Sequence, residues 1–137
     1  LTHSRGNSMT MESLAKYTNV VKEVKNELFK QINLAVSKGI EKDQIIIDPG
    51  LGFAKNVDQN LTLLRNLEQF VSMNYPVLIG ASRKRFIGSV INETDPNKRI
   101  FGMAAVASRC VSAGVDILRV HDVKQISQVI IMTKSII

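Results

Sequence analysis

The chain has 137 residues, the size of one ordinary domain, with 45% hydrophobic and 22% charged side chains. Its net charge of +6 favours anionic ligands, but with 5% aromatics, no Trp and no basic run interleaved with stacking residues it does not read as a nucleic-acid binder. Cys110 is the single cysteine, which excludes an internal disulfide or a Cys-rich zinc site, suits a reducing cytoplasm and predicts a thiol packed inside a helix.

The chain opens on Leu1-Thr2, read as the end of a strand, followed by His3, Arg5 and a small polar loop over 6–10. His3 and Arg5 either line a pocket or belong to a mobile loop. The opening LTHSRGNSMTM lacks the apolar centre of a signal peptide. No apolar run reaches the roughly 18–20 residues of a membrane span, so no membrane partner is expected. Val21, Val24, Leu28, Ile32 and Ala35 recur at helical spacing, with Gly39 as the stop. Ile45-Ile46-Ile47 then reads as a strand buried on both faces. Leu61, Leu64, Leu67 and Val71 predict one helix after Asp58. Pro76 to Ile79 predicts the next strand, and Ile100, Met103, Ala104, Ala107 and Val111 the next helix, ending near Gly114. Asp116 to Val120 is the last strand. Ile126, Val129, Ile130 and Thr133 form a final helical stripe with Asp122 as its N-cap.

Strand and helix alternate in units about 30–40 residues apart, the signature of βα repeats on a parallel sheet. Four units make either a small open sheet or half of a (β/α)₈ barrel, which takes about 250 residues. The polar residues favour the barrel. His3 and Arg5, Asp48, Ser82-Arg83-Lys84, and Arg119 with His121 each follow a strand directly. Barrel active sites are built at those strand ends.

Asp48, in IIIDPGLGFAKN, either caps the Asp-Pro-Gly turn or accepts paired N–H donors from a guanidine-like ligand edge. In the second case Gly50 and Gly52 would let backbone approach the ligand, and Phe53 would wall it. Arg83, Lys84 and Arg85 fall at a predicted helix start, with Lys84 one or two residues inside. Cations are unfavourable there, so something negative or electron-rich should offset them; otherwise they are solvated and Ser82 is the N-cap. Arg119 and His121, two apart on a strand, point the same way and suit a phosphate. The bland alternative pairs Arg119 with Asp116 or Asp122.

Taken together, the phrases LTHSRGNSMTM, IIIDPGLGFAKN, LIGASRKRFIG and ILRVHDV, in this order and running end to end, resemble the dihydropteroate synthase family. The resemblance implies a (β/α)₈ TIM barrel, of which residues 1–137 cover the second half, from the end of the fifth strand through the eighth helix. It implies condensation of dihydropterin-hydroxymethyl diphosphate with p-aminobenzoate, releasing diphosphate. Asp48, Lys84 and Arg119 would bind the pterin; Arg119 and His121 the diphosphate; Phe53, Lys84 and Arg85 the p-aminobenzoate. Chemistry would be supported by Lys84, Arg119 and His121, with no acid/base residue of the usual kind. Mg²⁺ is the implied cofactor, with its main protein ligand outside these residues and none within them. Sulfonamides are the implied competitors, and the apolar stripe over 126–137 is the candidate homodimer surface.

Arg85 departs from the family pattern. A second Ser, meeting the aminobenzoate carboxylate, often follows the Lys. Here the helix start and the Arg85 charge would take that part. Asn and Asp groups that complete the family's site are not in this sequence, so these residues alone should have negligible synthase activity. Two other readings stand beside this one: a pterin-binding methyltransferase domain, and a non-catalytic anion-binding module.

Overall fold

The computed structural model describes residues 1–137. Four extended segments lie side by side in chain order, all parallel. Thr2 bridges to Asp48 and Ile47 to Val77. Strand β1 (Leu78–Ile79) pairs with β2 (Ile117–Leu118), placing Leu78 opposite Ile117 and Ile79 opposite Leu118. Parallel neighbours need long crossovers, and helices supply them. Helix α1 (Val20–Ser37) connects the first two segments; α2 (Val57–Arg65) and α3 (Glu68–Val71) connect the second to β1. Helices α4 (Arg85–Ile91) and α5 (Ile100–Ser112) connect β1 to β2, and α6 (Val123–Ile136) closes the chain.

The helix periodicity reads through well. In α1, Val20, Val21, Val24, Leu28 and Ile32 are buried, and Asn19 caps the start by accepting from the Lys22 N–H at 3.0 Å. The end is a Schellman motif at Gly39: Ile40 N–H donates to Ala35 and Gly39 N–H to Val36. The single helix predicted after Asp58 is two, α2 and α3, broken at Asn66-Leu67. Its cap is Asn56, which accepts from Gln59 N–H while the Gln59 side chain accepts from Asn56 N–H. That reciprocal box outcompetes Asp58. Asp122 sits at the start of α6 but makes no cap bond; its carboxylate goes to Arg83 instead.

One core of 23 buried side chains joins the helices to one face of the sheet. Cys110 lies in it, and burial pushes its thiol up to about 12. The strands, however, are not buried on both faces. Ile45 and Ile47 are 3% and 0% exposed, while Ile46 between them is 39% exposed. Leu78 is only half-buried beside fully buried Val77 and Ile79. The helices cover one face; within these residues nothing covers the other. The final stripe is partly used internally: Ile126 and Thr133 are buried. The apolar side chains that α6 does expose are Val123, Ile131, Met132 and Ile136.

Candidate active site

The C-terminal ends of β1 and β2 open on a cleft of about 310 Å³ lined by Gly80, Ser82, Lys84, Arg119, Val120 and His121. Lys84, Arg119 and His121, expected to act together, therefore share one space. Arg119 joins no ion pair. Asp116 instead accepts from the Val77 N–H and Asp122 pairs with Arg83, so the expected carboxylate partners are both engaged elsewhere. The Arg119 guanidinium lies across Gly80, where a Cβ would come within 2.9 Å of Nη2. His121 is oriented by Ser82. The Ser82 Oγ accepts from the His121 backbone N–H at 3.2 Å and sits 2.9 Å from Nδ1. Its one proton can then go to Nδ1, which leaves the ring proton of a neutral imidazole on Nε2, free to be donated. Ser82 is thus a positioning partner of His121 and not a helix cap.

The turn after β1 explains the cluster of charge. Lys84 N–H donates to Ala81 O, and Arg83 between them is left-handed, with φ 61. Such a conformation costs on the order of 1 kcal/mol for a non-glycine residue. Buried Arg99 offsets it by tying the Arg83 carbonyl at 2.8 Å to those of Glu93 and Thr94. Lys84 is not inside the helix, as expected, but at its N-cap with extended backbone. Its side chain turns away from the helix start. Each cation of the cluster then has its own acceptor: Arg83 takes Asp122 at 3.1 Å, Lys84 the Leu51 carbonyl and the Phe53 ring, and Arg85 takes Glu12 at 2.6 Å. The Lys84 ammonium lies 4.3 Å from the centre of the Phe53 ring. Burial lowers its pKa, with Asp48 opposing and Arg119 adding to the shift.

Asp48 caps its turn, and its second oxygen is left over. One carboxylate oxygen caps the turn, accepting from Gly50 N–H at 2.7 Å. The other has only a long contact, 3.4 Å, from the Thr2 hydroxyl. Gly50 and Gly52, expected to make room for a ligand, make room for the protein. A Cβ on Gly50 would collide with the His3 carbonyl oxygen, and one on Gly52 would lie 2.9 Å from the Lys84 side chain.

A second polar cluster, beneath this turn, was not anticipated from the sequence. His3 neither lines the cleft nor floats in a loop: it is fully buried, 2.8 Å from Glu27 through Nε2 and 2.9 Å from the Lys55 ammonium through Nδ1. Arg5 likewise faces away from the cleft. It bonds Glu27 and Glu23 and lies 3.9 Å over the Tyr17 ring. Burial, and then the Lys55 charge, hold His3 down at about 4. Burial also takes Lys55 down to about 7 against the pull of Asp48. Asn60, buried in α2, holds the same loop by accepting from Gly52 N–H at 2.7 Å.

No three His, Cys, Asp or Glu side chains converge in a geometry that could hold a metal ion. The cleft presents cations, so its residues do not fit a divalent ion by themselves. No helix is long and apolar enough to cross a membrane.

Fold and site together define a parallel βα protein whose strand ends gather a buried carboxylate, the half-buried cation Lys84, the unpaired Arg119, and His121. A family model described as "Pterin binding enzyme" matches residues 1–121, and the chain belongs to that family. The dihydropteroate synthase of Synechocystis sp. is 43% identical over 129 residues, covering 94% of this chain and 45% of that protein. The Thermus thermophilus dihydropteroate synthase, solved in complex with 6HMPPP and with 4-aminobenzoate, superposes with a TM-score of 0.93 at 38% identity. Those matches cover 98% of this chain and 53% and 55% of those chains. The Yersinia pestis dihydropteroate synthase, in a sulfonamide drug complex, superposes with the same TM-score of 0.93 at 30% identity, covering 98% of this chain and 48% of that one. The chain spans about half the length of the curated relatives it matches. Its four βα units are part of a (β/α)₈ barrel, and the half-exposed sheet face is the face such a barrel turns inward.

Proposed function

We propose that residues 1–137 supply the pterin- and diphosphate-binding half of a dihydropteroate synthase, acting as one barrel half-domain. The observation that carries this reading is the division of labour among the strand ends. Asp48 keeps one oxygen nearly free, while Lys84, Arg119 and His121 present donors within one small space. A pterin aminopyrimidine edge offers N–H groups to the free carboxylate oxygen, with Lys84 on the pterin carbonyl. Arg119 lies against the ring and, with Nε2 of His121, holds the diphosphate. In the reaction the bond from the pterin methylene to the diphosphate oxygen breaks, and the diphosphate leaves with the electron pair. The amine nitrogen of p-aminobenzoate forms the new bond to the methylene carbon and gives up one proton to solvent. The task of these residues is to stabilise charge on the leaving group and hold the pterin, not to supply a nucleophile.

Phe53, Lys84 and Arg85 border the p-aminobenzoate pocket, where sulfonamides would compete. Mg²⁺ would assist diphosphate departure, held mainly by groups outside these residues. A homodimer would use the exposed residues of α6, and a reducing cytoplasm suits the single thiol.

Titrating 6-hydroxymethylpterin and inorganic pyrophosphate separately into the chain tests the reading. Asp48→Asn should abolish pterin binding and spare pyrophosphate; Arg119→Ala should do most harm to pyrophosphate. If Asp48→Asn leaves pterin binding unchanged, the assignment fails, and pyrophosphate binding alone would leave an anion-binding module. A synthase assay on the 137 residues should give negligible turnover, rising when the rest of a barrel is supplied.

A further inference from the structure

Lys55 is a half-buried cation that the cleft chemistry does not use. Its ammonium donates to the Gly50 carbonyl at 3.0 Å and the Phe53 carbonyl at 2.9 Å, and lies 2.9 Å from Nδ1 of His3. Three acceptors therefore meet its three N–H groups. Two belong to the turn that begins at Asp48 and ends at Phe53. The third, His3, is itself anchored to α1 through Glu27. Asp48 is bound into the same turn through Gly50 N–H. The charged groups that act on Lys55 are Asp48, Glu27, Lys84 and Arg5, with His3 in contact; Glu12 and Arg85 line with Lys55 a surface pocket separate from the strand-end cleft.

We propose that Lys55 is a positioning residue: its ammonium clamps the 48–53 turn to His3 and so sets how Asp48 and Phe53 are presented, without touching a ligand. The consequence for pterin affinity rests on the reading of Asp48 as the pterin acceptor; the clamp itself does not. A neutral amine has only two N–H groups, so loss of one proton leaves one of the three acceptors without a donor. Burial brings Lys55 down to about 7. The clamp should loosen as pH rises through the neutral range. One lost hydrogen bond corresponds to a change of roughly three- to tenfold.

The test has two arms on the 137-residue chain. In the absence of ligand, the ¹⁵N amide signals of Gly50, Phe53 and Ala54 should shift with a midpoint near pH 7 in the native sequence and stay flat in Lys55→Met. In the second arm, affinity for 6-hydroxymethylpterin should fall roughly three- to tenfold between about pH 5.5 and 8.5 in the native chain. In Lys55→Met it should be weak throughout, with that fall gone; taking the difference between the two proteins cancels titration of the pterin and of Lys84. Amides that do not titrate in the native chain overturn the clamp, and this arm needs no variant to fold. The same pH slope in both proteins also overturns it, since a merely structural lysine would lower affinity without removing the slope. If the amides titrate as expected but no pterin binds, the clamp stands and the pterin reading falls.

Discussion

The chain builds two polar clusters a few residues apart and treats their charges in opposite ways. Beneath the turn, His3, Lys55, Glu27, Arg5 and Glu23 satisfy one another, and Tyr17 lies under Arg5. At the strand ends, Arg119 has no carboxylate at all, and the ring proton of His121 is turned out by Ser82. Both clusters are rich in cations, so charge alone does not mark the working site. What marks it is donors without protein acceptors gathered at one cleft, where solvent or a ligand must meet them. The paired cluster belongs to stability and shape, and the unpaired one is the proposed binding site.

The sharpest way to break that distinction is to remove a charge from each side. Arg119→Ala should reduce pyrophosphate affinity by roughly a hundredfold or more, the loss expected for a charge-assisted contact. Its melting temperature should hardly move, because Arg119 is exposed and pairs with nothing in the fold. A variant that unfolds would place Arg119 with the structural cluster.

The paired side should reveal itself through pH. His3 is held at about 4, below its ordinary value of 6.5, because burial disfavours the imidazolium. As pH falls from 6.5 to 4 the unfolded chain takes up a proton that the native chain refuses. The His3 contribution to stability is therefore level above pH 6.5 and drops by roughly 2–3 kcal/mol between 6.5 and 4. Glu27, whose pKa its bond to Arg5 lowers, adds a further loss at the acid end. Urea midpoints measured at half-unit pH steps should show this slope, and His3→Gln should flatten it above about pH 4.5. A slope unchanged in that variant would take His3 out of the account.

Arg99 joins the two behaviours, being fully paired yet working for the cleft. Its guanidinium binds three carbonyls, including that of left-handed Arg83. Arg99→Ala should cost about 2 kcal/mol in chemical denaturation, as expected for buried bonds to a charged group. It should also weaken pyrophosphate binding, since Ser82, and through it His121, would lose the turn that places them.

The sequence exposed the strand-end cluster better than the structural one, for a physical reason. Asp48, Lys84, Arg119 and His121 are read from local context: a polar residue directly after an apolar run has to be accounted for. His3 and Lys55 are 52 residues apart, and His3 and Glu27 are 24 apart. Nothing local pairs them. One signal was available in α1, where Glu27 stands between Val24 and Leu28 on a helix whose apolar side is buried. A carboxylate at the margin of a core stripe needs a partner. The capping errors have a similar origin. Asp122 and Ser82 are good caps by residue type, but Arg83 and His121 compete for them once β1 and β2 lie side by side. The exposed side of Ile46 could not be foreseen from the run of three isoleucines, because the aliphatic pattern of a barrel strand is written for two covered faces.

Arg85 gives the smallest expected effect and the finest test of the comparison. It stands inside the cation cluster of the turn, yet its partner is Glu12, in the loop before α1. Both side chains are largely exposed, at 83% and 70%. Exposed pairs contribute roughly 0–1 kcal/mol, so neither Arg85→Ala nor Glu12→Gln should change stability measurably. Their effects on a carboxylate ligand should have opposite signs. Removing Arg85 takes away attraction, and removing the Glu12 charge frees Arg85 from its competitor. Affinity for p-aminobenzoate should fall a fewfold in the first and rise a fewfold in the second, while its neutral amide should respond to neither. If both variants leave p-aminobenzoate unchanged, Arg85 is a solvated surface arginine, and recognition of that carboxylate falls to the backbone N–H groups at the start of α4.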